Sequence, residues 1–288
     1  MAQARTFAGV TLMSANEIPN DYGRWLIYGA QGHGKSTLAA SIAEFGPTLY
    51  IDLTGERGVR SFIDSPWAKN ITIARPLSIQ ELDDIFWALK QGGHPYKAVV
   101  IDSLTAVNKM AMRFLRGFSE TEVKEIAKGG SPAQIQTWGQ SADIMTDIAT
   151  FWNSLADGNS PSPMHVVFTA QAKKEKDKAG NETGIVIPDV QPGALGISLA
   201  ATDYVVFCDV EENLEALADE SLPAVTHILR FGAQPGFRLK ARLPQRLQGR
   251  IPSVLGRRKP ANLGDLSRVL GIAGIAPAPR AIADNPQA

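Results

Sequence analysis

Short apolar runs alternate with stretches whose apolar positions recur at helical spacing along most of the chain. Arg24 to Tyr28, Thr48 to Leu53, Ile71 to Ala74, Ala98 to Ser103 and His165 to Gln171 read as strands, most of them apolar until their last residues. Such runs mark strands buried on both faces. Tyr204 to Val210, Thr226 to Phe231 and Phe237 to Leu243 continue the series, and Gly232 to Gly236 between the last two predicts a hairpin. Helices fall between the strands. One starts near Lys35 and stops at Gly46-Pro47, and a short one runs from Gly58 to Ile63. Ser78 and Glu81 form a capping box ahead of Leu82, Ile85, Phe86 and Leu89. Further helices are predicted through Met110 and Phe114, from Trp138 to Leu155, and from Leu263 to Leu270.

Strands alternating with helices predict an α/β fold with a mostly parallel central sheet flanked by helices, and the late hairpin predicts an antiparallel edge extension. Residues 1–21 read as an N-terminal arm, 22–247 as the core, and 248–288 as a basic, then Pro- and Ala-rich tail with one short helix. Ligands of such sheets bind beyond the carboxyl ends of the strands.

Composition adds limits. The 288 residues are 44% hydrophobic, enough for one sizeable core. Lys+Arg and Asp+Glu both number 29, so only local charge clusters can argue for nucleic acid. The lone Cys208, inside an apolar run, excludes an intrachain disulfide and reads as a small buried hydrophobe. No apolar run approaches the ~20 residues that span a bilayer, and no signal-type core starts the chain. The expectation is a cytoplasmic protein with no membrane contact.

The chemistry concentrates after the first strand. Gly29-Ala30-Gln31-Gly32-His33-Gly34-Lys35-Ser36-Thr37 has the spacing G-x-x-x-x-G-K-[ST], between a strand and a helix. Backbone N–H groups around Gly32 to Lys35 form an anion nest at the positive end of a helix. Lys35 is expected to neutralise the β- and γ-phosphates of ATP, and Ser36 to hold Mg²⁺. Asp102, ending an apolar strand, fits the second metal-holding position. Hydrolysis needs a group that deprotonates or positions water; Glu56, just past the second strand, is the candidate, with Asp52 as the alternative. Gln171 ends the fifth strand and is suited to sense the γ-phosphate. Ser103 is a weaker candidate for the same water shell.

Residues 172–193 read as a charged loop, with Lys173, Lys174, Lys176 and Lys178 among Glu175, Asp177 and Glu182. Composition alone makes it a solvated loop; its place after Gln171 suggests contact with nucleic-acid phosphates. The polar segment 117–135 is a similar case. Lys240 and Arg242 alternate with Leu239, Ala241 and Leu243, so both face one side of a strand. They read either as a solvent face or as cations reaching a neighbouring subunit's γ-phosphate.

GAQGHGKST, TLYIDLTGERG, AVVIDSLT, HVVFTAQ and LKAR together resemble the RecA-like P-loop ATPase core, over residues 22–245. More narrowly they resemble compact phage-encoded RecA-like NTPases, a group that includes single-strand annealing proteins. The resemblance implies that Glu56 activates water, that Gln171 senses γ-phosphate, and that Lys240 and Arg242 act across a subunit interface. It also implies single-stranded DNA binding at 117–135 and 172–198, and a ring or filament of identical subunits. A phage or host single-strand DNA-binding protein is a further implied partner, in a bacterial host's cytoplasm. In the family the glutamate stands two residues after the strand-end aspartate; here Thr54 stands there and Glu56 comes two later.

The function expected from this reading is a DNA-stimulated ATPase of phage-type recombination or annealing. An ATPase motor or helicase loader of DNA replication would use the same core. So would a small-molecule kinase, which would need an acceptor pocket and no subunit contacts.

Overall fold

The computed structural model describes residues 5–7, 10–12, 22–53, 58–117, 135–217, 223–243, 245–257 and 260–272. Strands β1 (Arg5–Phe7) and β2 (Val10–Leu12) pair with each other as a small antiparallel ribbon. The other described elements are built on one sheet. In chain order its surroundings are β3 (Arg24–Gly29), α1 (Lys35–Ala40), β4 (Thr48–Asp52), β5 (Ile71–Ala74) and α2 (Ile79–Gln91). Then follow β6 (Ala98–Asp102), α3 (Leu104–Leu115), α4 (Ile135–Asn153), β7 (His165–Lys176), β8 (Glu182–Pro188) and α5 (Pro192–Ala201). The chain continues through β9 (Tyr204–Glu212), β10 (Val225–Arg230), β11 (Lys240–Ala241), β12 (Val254–Leu255) and α6 (Leu263–Leu270).

The strand order is β12-β10-β9-β3-β7-β6-β4-β5. From β9 to β5 all pairings are parallel; β10 and β12 add an antiparallel edge. The α/β class and the antiparallel extension predicted from the sequence are both present. Alternation of side chains splits the core into two layers. Leu26 and Tyr28 of β3 face α2, α3, α4 and α5, while Trp25 and Ile27 face α1 and α6. The α2 start follows the predicted chemistry: the Ser78 hydroxyl accepts from Glu81 N at 3.1 Å, and the Glu81 carboxylate accepts from Leu77 N at 2.7 Å.

Two local expectations need correction. The hairpin across Gly232 to Gly236 does not form. Instead β10 and β11 lie end to end along the same edge of β9, pairing with residues 207–212 and 204–205 respectively. Both strands satisfy their backbone groups on β9, so neither needs the other. Second, residues 172–193 are not a loop. β7 runs on to Lys176 and turns at Asp177–Asn181 into β8, with a register shift between Lys174 and Lys176. Val186 lays one side of this hairpin on the core, and the Lys/Glu alternation becomes cross-strand pairing, as in Lys174–Glu182 at 2.7 Å. The region 172–198 that was expected to be a DNA loop is therefore a hairpin followed by most of α5. The expected second DNA loop, 117–135, lies outside the described residues except at its two ends.

α6 closes the α1 face. Leu263, Leu266 and Leu270 are buried with Leu38 and Ile42, and Leu263 N donates to Ser41 Oγ at 2.9 Å. Among the described residues no helix is long and apolar enough to cross a membrane.

His165 begins β7 almost fully buried, its Nδ1 accepting Gly23 N–H at 3.0 Å. Burial pushes its pKa down from 6.5 to about 4. The unfolded chain therefore takes up this proton first as pH falls. The stability present above pH 6.5 is lost progressively between 6.5 and about 4, by roughly 3 kcal/mol in total. Urea unfolding across this range should show the loss, and His165→Gln should flatten that part of the profile. Equal slopes for the two proteins would show that another group governs acid sensitivity.

Candidate active site

The first glycine of the loop is dictated by packing. β3 lies beside β9 with Gly29 opposite Cys208, and a Cβ at Gly29 would collide with the Cys208 carbonyl oxygen. Cys208 is a buried thiol pushed up to about 12 by desolvation, which matches its reading as a core residue. Ala30, Gln31 and Gly32 are exposed at the turn. Gly32 and Gly34 take positive φ, 81° and 83°, which glycine adopts without the Cβ penalty. Gly34 is the N-cap of α1 and brings no capping side chain, so the first-turn N–H groups are left for an anion. His33 Nδ1 lies 3.3 Å from the Cys208 carbonyl, and Thr37 Oγ1 donates to Ser61 O at 3.4 Å.

Lys35 is 7% exposed and folds back over the loop: its Nζ donates to Ala30 O at 2.8 Å and to Gln171 Oε1 at 3.3 Å. Gln171 sits opposite Gly29 in the β3/β7 register. Thus the loop lysine and Gln171, which the sequence placed at a strand end but which lies inside β7, meet directly although 136 positions apart in sequence. Gln171 N–H in turn donates to Thr105 Oγ1 at 3.0 Å, and its carbonyl accepts Asp189 N–H at 2.7 Å.

Asp102 is the most enclosed charge of the site, 2% exposed. Its Oδ2 accepts from Ser36 Oγ at 2.7 Å and from Tyr50 Oη at 2.5 Å, and its Oδ1 accepts from Thr169 Oγ1. Burial and the adjacent carboxylate hold the Tyr50 pKa well above 10, so that hydroxyl remains a donor. The hydroxyl–carboxylate oxygen pair of Ser36 and Asp102 suits a hard cation such as Mg²⁺. Among the described residues no cluster of three or more His, Cys, Asp or Glu is placed to hold a metal.

The remaining candidates are scattered. Asp52 is opposite Asp102 in the β4/β6 register, is 4% exposed, and accepts from Arg75 Nε at 2.9 Å. Glu56 lies outside the described residues. Ser103 caps α3 by accepting Ala106 N–H, which accounts for it structurally. Lys240 and Arg242 do not reach the loop of their own chain. Lys240 is opposite Val205, three positions along β9 from Cys208, or about 10 Å toward the amino edge of the sheet. There Lys240 Nζ donates to the carbonyls of Leu199, Ala200 and Thr202 at 2.6–2.9 Å. Arg242 pairs with Asp203 at 2.7 Å and donates to Ala200 O. Both cations cover the carboxyl end of α5, where they suit the helix dipole.

Three participants were not singled out from the sequence: Tyr50, Thr169 and Gly58. Tyr50 and Thr169 are hydroxyl residues flanked on both sides by apolar residues in their strands, and that is the signal that was available. Gly58 had none. A Cβ there would strike Asp102 Oδ2 and come within 2.6 Å of Ser36 Oγ.

A glycine-turned anion cradle, a lysine over it, and an oxygen pair from Ser36 at the start of α1 and Asp102 at the end of β6 define a P-loop ATPase. Residues 22–243, most of the chain, match the AAA domain family (AAA_24), and the protein belongs to it. No curated protein matches the chain. Family membership implies nucleotide binding and hydrolysis with a divalent metal.

Gly58→Ala tests the geometry. The added methyl must displace Ser36 or Asp102, so Mg²⁺-dependent ATP hydrolysis is expected to fall about tenfold or more. Overpacking of this buried contact should also lower the melting temperature modestly, leaving a cooperative transition. Steady-state kinetics at varied Mg²⁺ and a thermal melt measure both; unaltered hydrolysis would show that Gly58 does not border the metal position.

Proposed function

We propose that this ATPase is an ATP-dependent single-stranded-DNA-binding protein of phage-type recombination or annealing, acting as a homo-oligomer with ATP between subunits. One observation carries the reading: Lys35 contacts Gln171, and β7 continues without interruption from Gln171 into the Lys-rich hairpin. A γ-phosphate competes with Gln171 for Lys35, and the freed amide turns to the phosphate. The backbone of Gln171 is bonded to Asp189 at the foot of β8, so that change reaches the hairpin. Lys176 and Lys178 are exposed near its tip and supply charge for DNA phosphates. Segment 117–135 is proposed as the second DNA contact. The motif set that resembles the RecA-like core supports the same reading.

Ser36 and Asp102 would hold the Mg²⁺ ion, which supplies neutralisation of the β- and γ-phosphates. Lys35 orients the same phosphates. Glu56 is proposed to activate water, a role for which Asp52 is poorly free because it is paired with Arg75. Arg242, with its side chain 54% exposed, is proposed to reach a neighbouring subunit's γ-phosphate together with Lys240.

The test is ATP hydrolysis with and without single-stranded DNA at two salt concentrations, with light scattering on the same samples. Stimulation by DNA that weakens steeply with salt, and growth in particle size with ATP, are expected. Lys35→Ala should abolish turnover and leave the fold. A strict monomer that DNA does not stimulate would overturn the proposal. Membership of the AAA domain family equally suits an ATPase motor or helicase loader in replication. Strand annealing measured with and without ATP separates these two readings.

A further inference from the structure

We infer that Tyr50 and Thr169 are positioning residues that fix the Asp102 carboxylate and thereby set how tightly the ATP site holds Mg²⁺. The inference rests on the reading of the loop as an ATP site, and not on DNA binding.

Three hydroxyl groups converge on Asp102 from three different elements: Ser36 at the start of α1, Tyr50 on β4 and Thr169 on β7. A carboxylate oxygen offers about two acceptor sites. Oδ2, with Ser36 and Tyr50, is full, and one site remains on Oδ1 beside Thr169. Ser36 is common to the cradle and the carboxylate. When its oxygen lone pairs serve a cation, its proton still requires Oδ2 as acceptor. That holds only while Oδ2 keeps its place. The terminal torsion of an aspartate is intrinsically broad, so the two other donors must fix it. Tyr50 is itself fixed: it is fully buried, and its ring packs against Phe62 at 4.9 Å between centroids. Thr169 is also fully buried. Neither residue touches the loop backbone through its hydroxyl in any contact described above. The Tyr50 hydroxyl also lies beside the Ser36 side chain, so the influence of the pair passes to the cation through the Asp102 and Ser36 oxygens and not through the backbone of the cradle.

The variants are Tyr50→Phe, Thr169→Val and the hydroxyl-retaining Thr169→Ser. The probe is a fluorescent ATP analogue, bound in EDTA and then titrated with Mg²⁺, with Mn²⁺ binding followed by electron paramagnetic resonance. In Tyr50→Phe and Thr169→Val the cation concentration for half-saturation is expected to rise about tenfold or more. Affinity for the analogue in EDTA should be retained, and Thr169→Ser should restore the wild-type cation response. A purely structural role would lower thermal stability and leave the cation titration in place. Should Tyr50→Phe fail to fold, the Val/Ser pair at position 169 decides alone. Cation titrations of the hydroxyl-less variants that overlay the wild type would overturn the inference while leaving the ATP site intact. Failure of the wild-type protein to bind the analogue at any Mg²⁺ concentration would overturn the site reading itself, and this inference with it.

Discussion

A carboxylate buried without a partner charge must be satisfied by hydrogen bonds, because transfer from water costs several kcal/mol otherwise. Asp102 meets that constraint with donors from α1, β4 and β7, so its satisfaction requires three elements to be in register at once. β6 supplies the carboxylate, and its neighbours β4 and β7 supply two of the hydroxyls. The remaining donor, Ser36, ties the phosphate loop to the centre of the sheet. Gly58 then closes one side of the carboxylate with backbone alone. The strand order is thus not a neutral scaffold. It is what makes a buried acid tolerable at the place where a cation is needed.

The second organising strand is β9. Its first residues pair with β11, its later residues with β10, and its other edge with β3. The carbonyl of Cys208 presses on Gly29 and reaches toward His33, so β9 shapes the loop from behind. The same strand, through β11, carries the two cations that cover the end of α5. Loop and cationic pair therefore flank one strand only three positions apart, on its two edges, a proximity that sequence order conceals.

Much of the fold was legible because its signals are local. Fully apolar runs such as Ala98 to Ile101, the Ser78 capping box and the glycine spacing of the loop all act over a few residues. Glycine at 32 and 34 and the lysine–glutamine meeting follow once strand ends are known to share an edge. What was not legible depends on non-local pairing. The charge of residues 173–182 outweighed their alternation and suggested a loop, although cross-strand Lys–Glu partners make the same residues a hairpin. Gly232 to Gly236 looked like a hairpin turn because nothing local reveals that β9 offers an edge to both flanking strands. Tyr50 looked like a core aromatic, and its ring is one; only its hydroxyl, aimed at a residue 52 positions away, carries the other role.

The length of β7 has a mechanical consequence. It has twelve residues, with neither glycine nor proline, and spans roughly 40 Å at the usual strand rise. Its first half is clamped between β3 and β6, and its second half leaves them to pair with β8. Catalytic edge and projecting hairpin are therefore one beam with no hinge between them. The register shift between Lys174 and Lys176 falls outward of the clamped part, so the bend it introduces re-aims the tip without breaking the strand that leads to it.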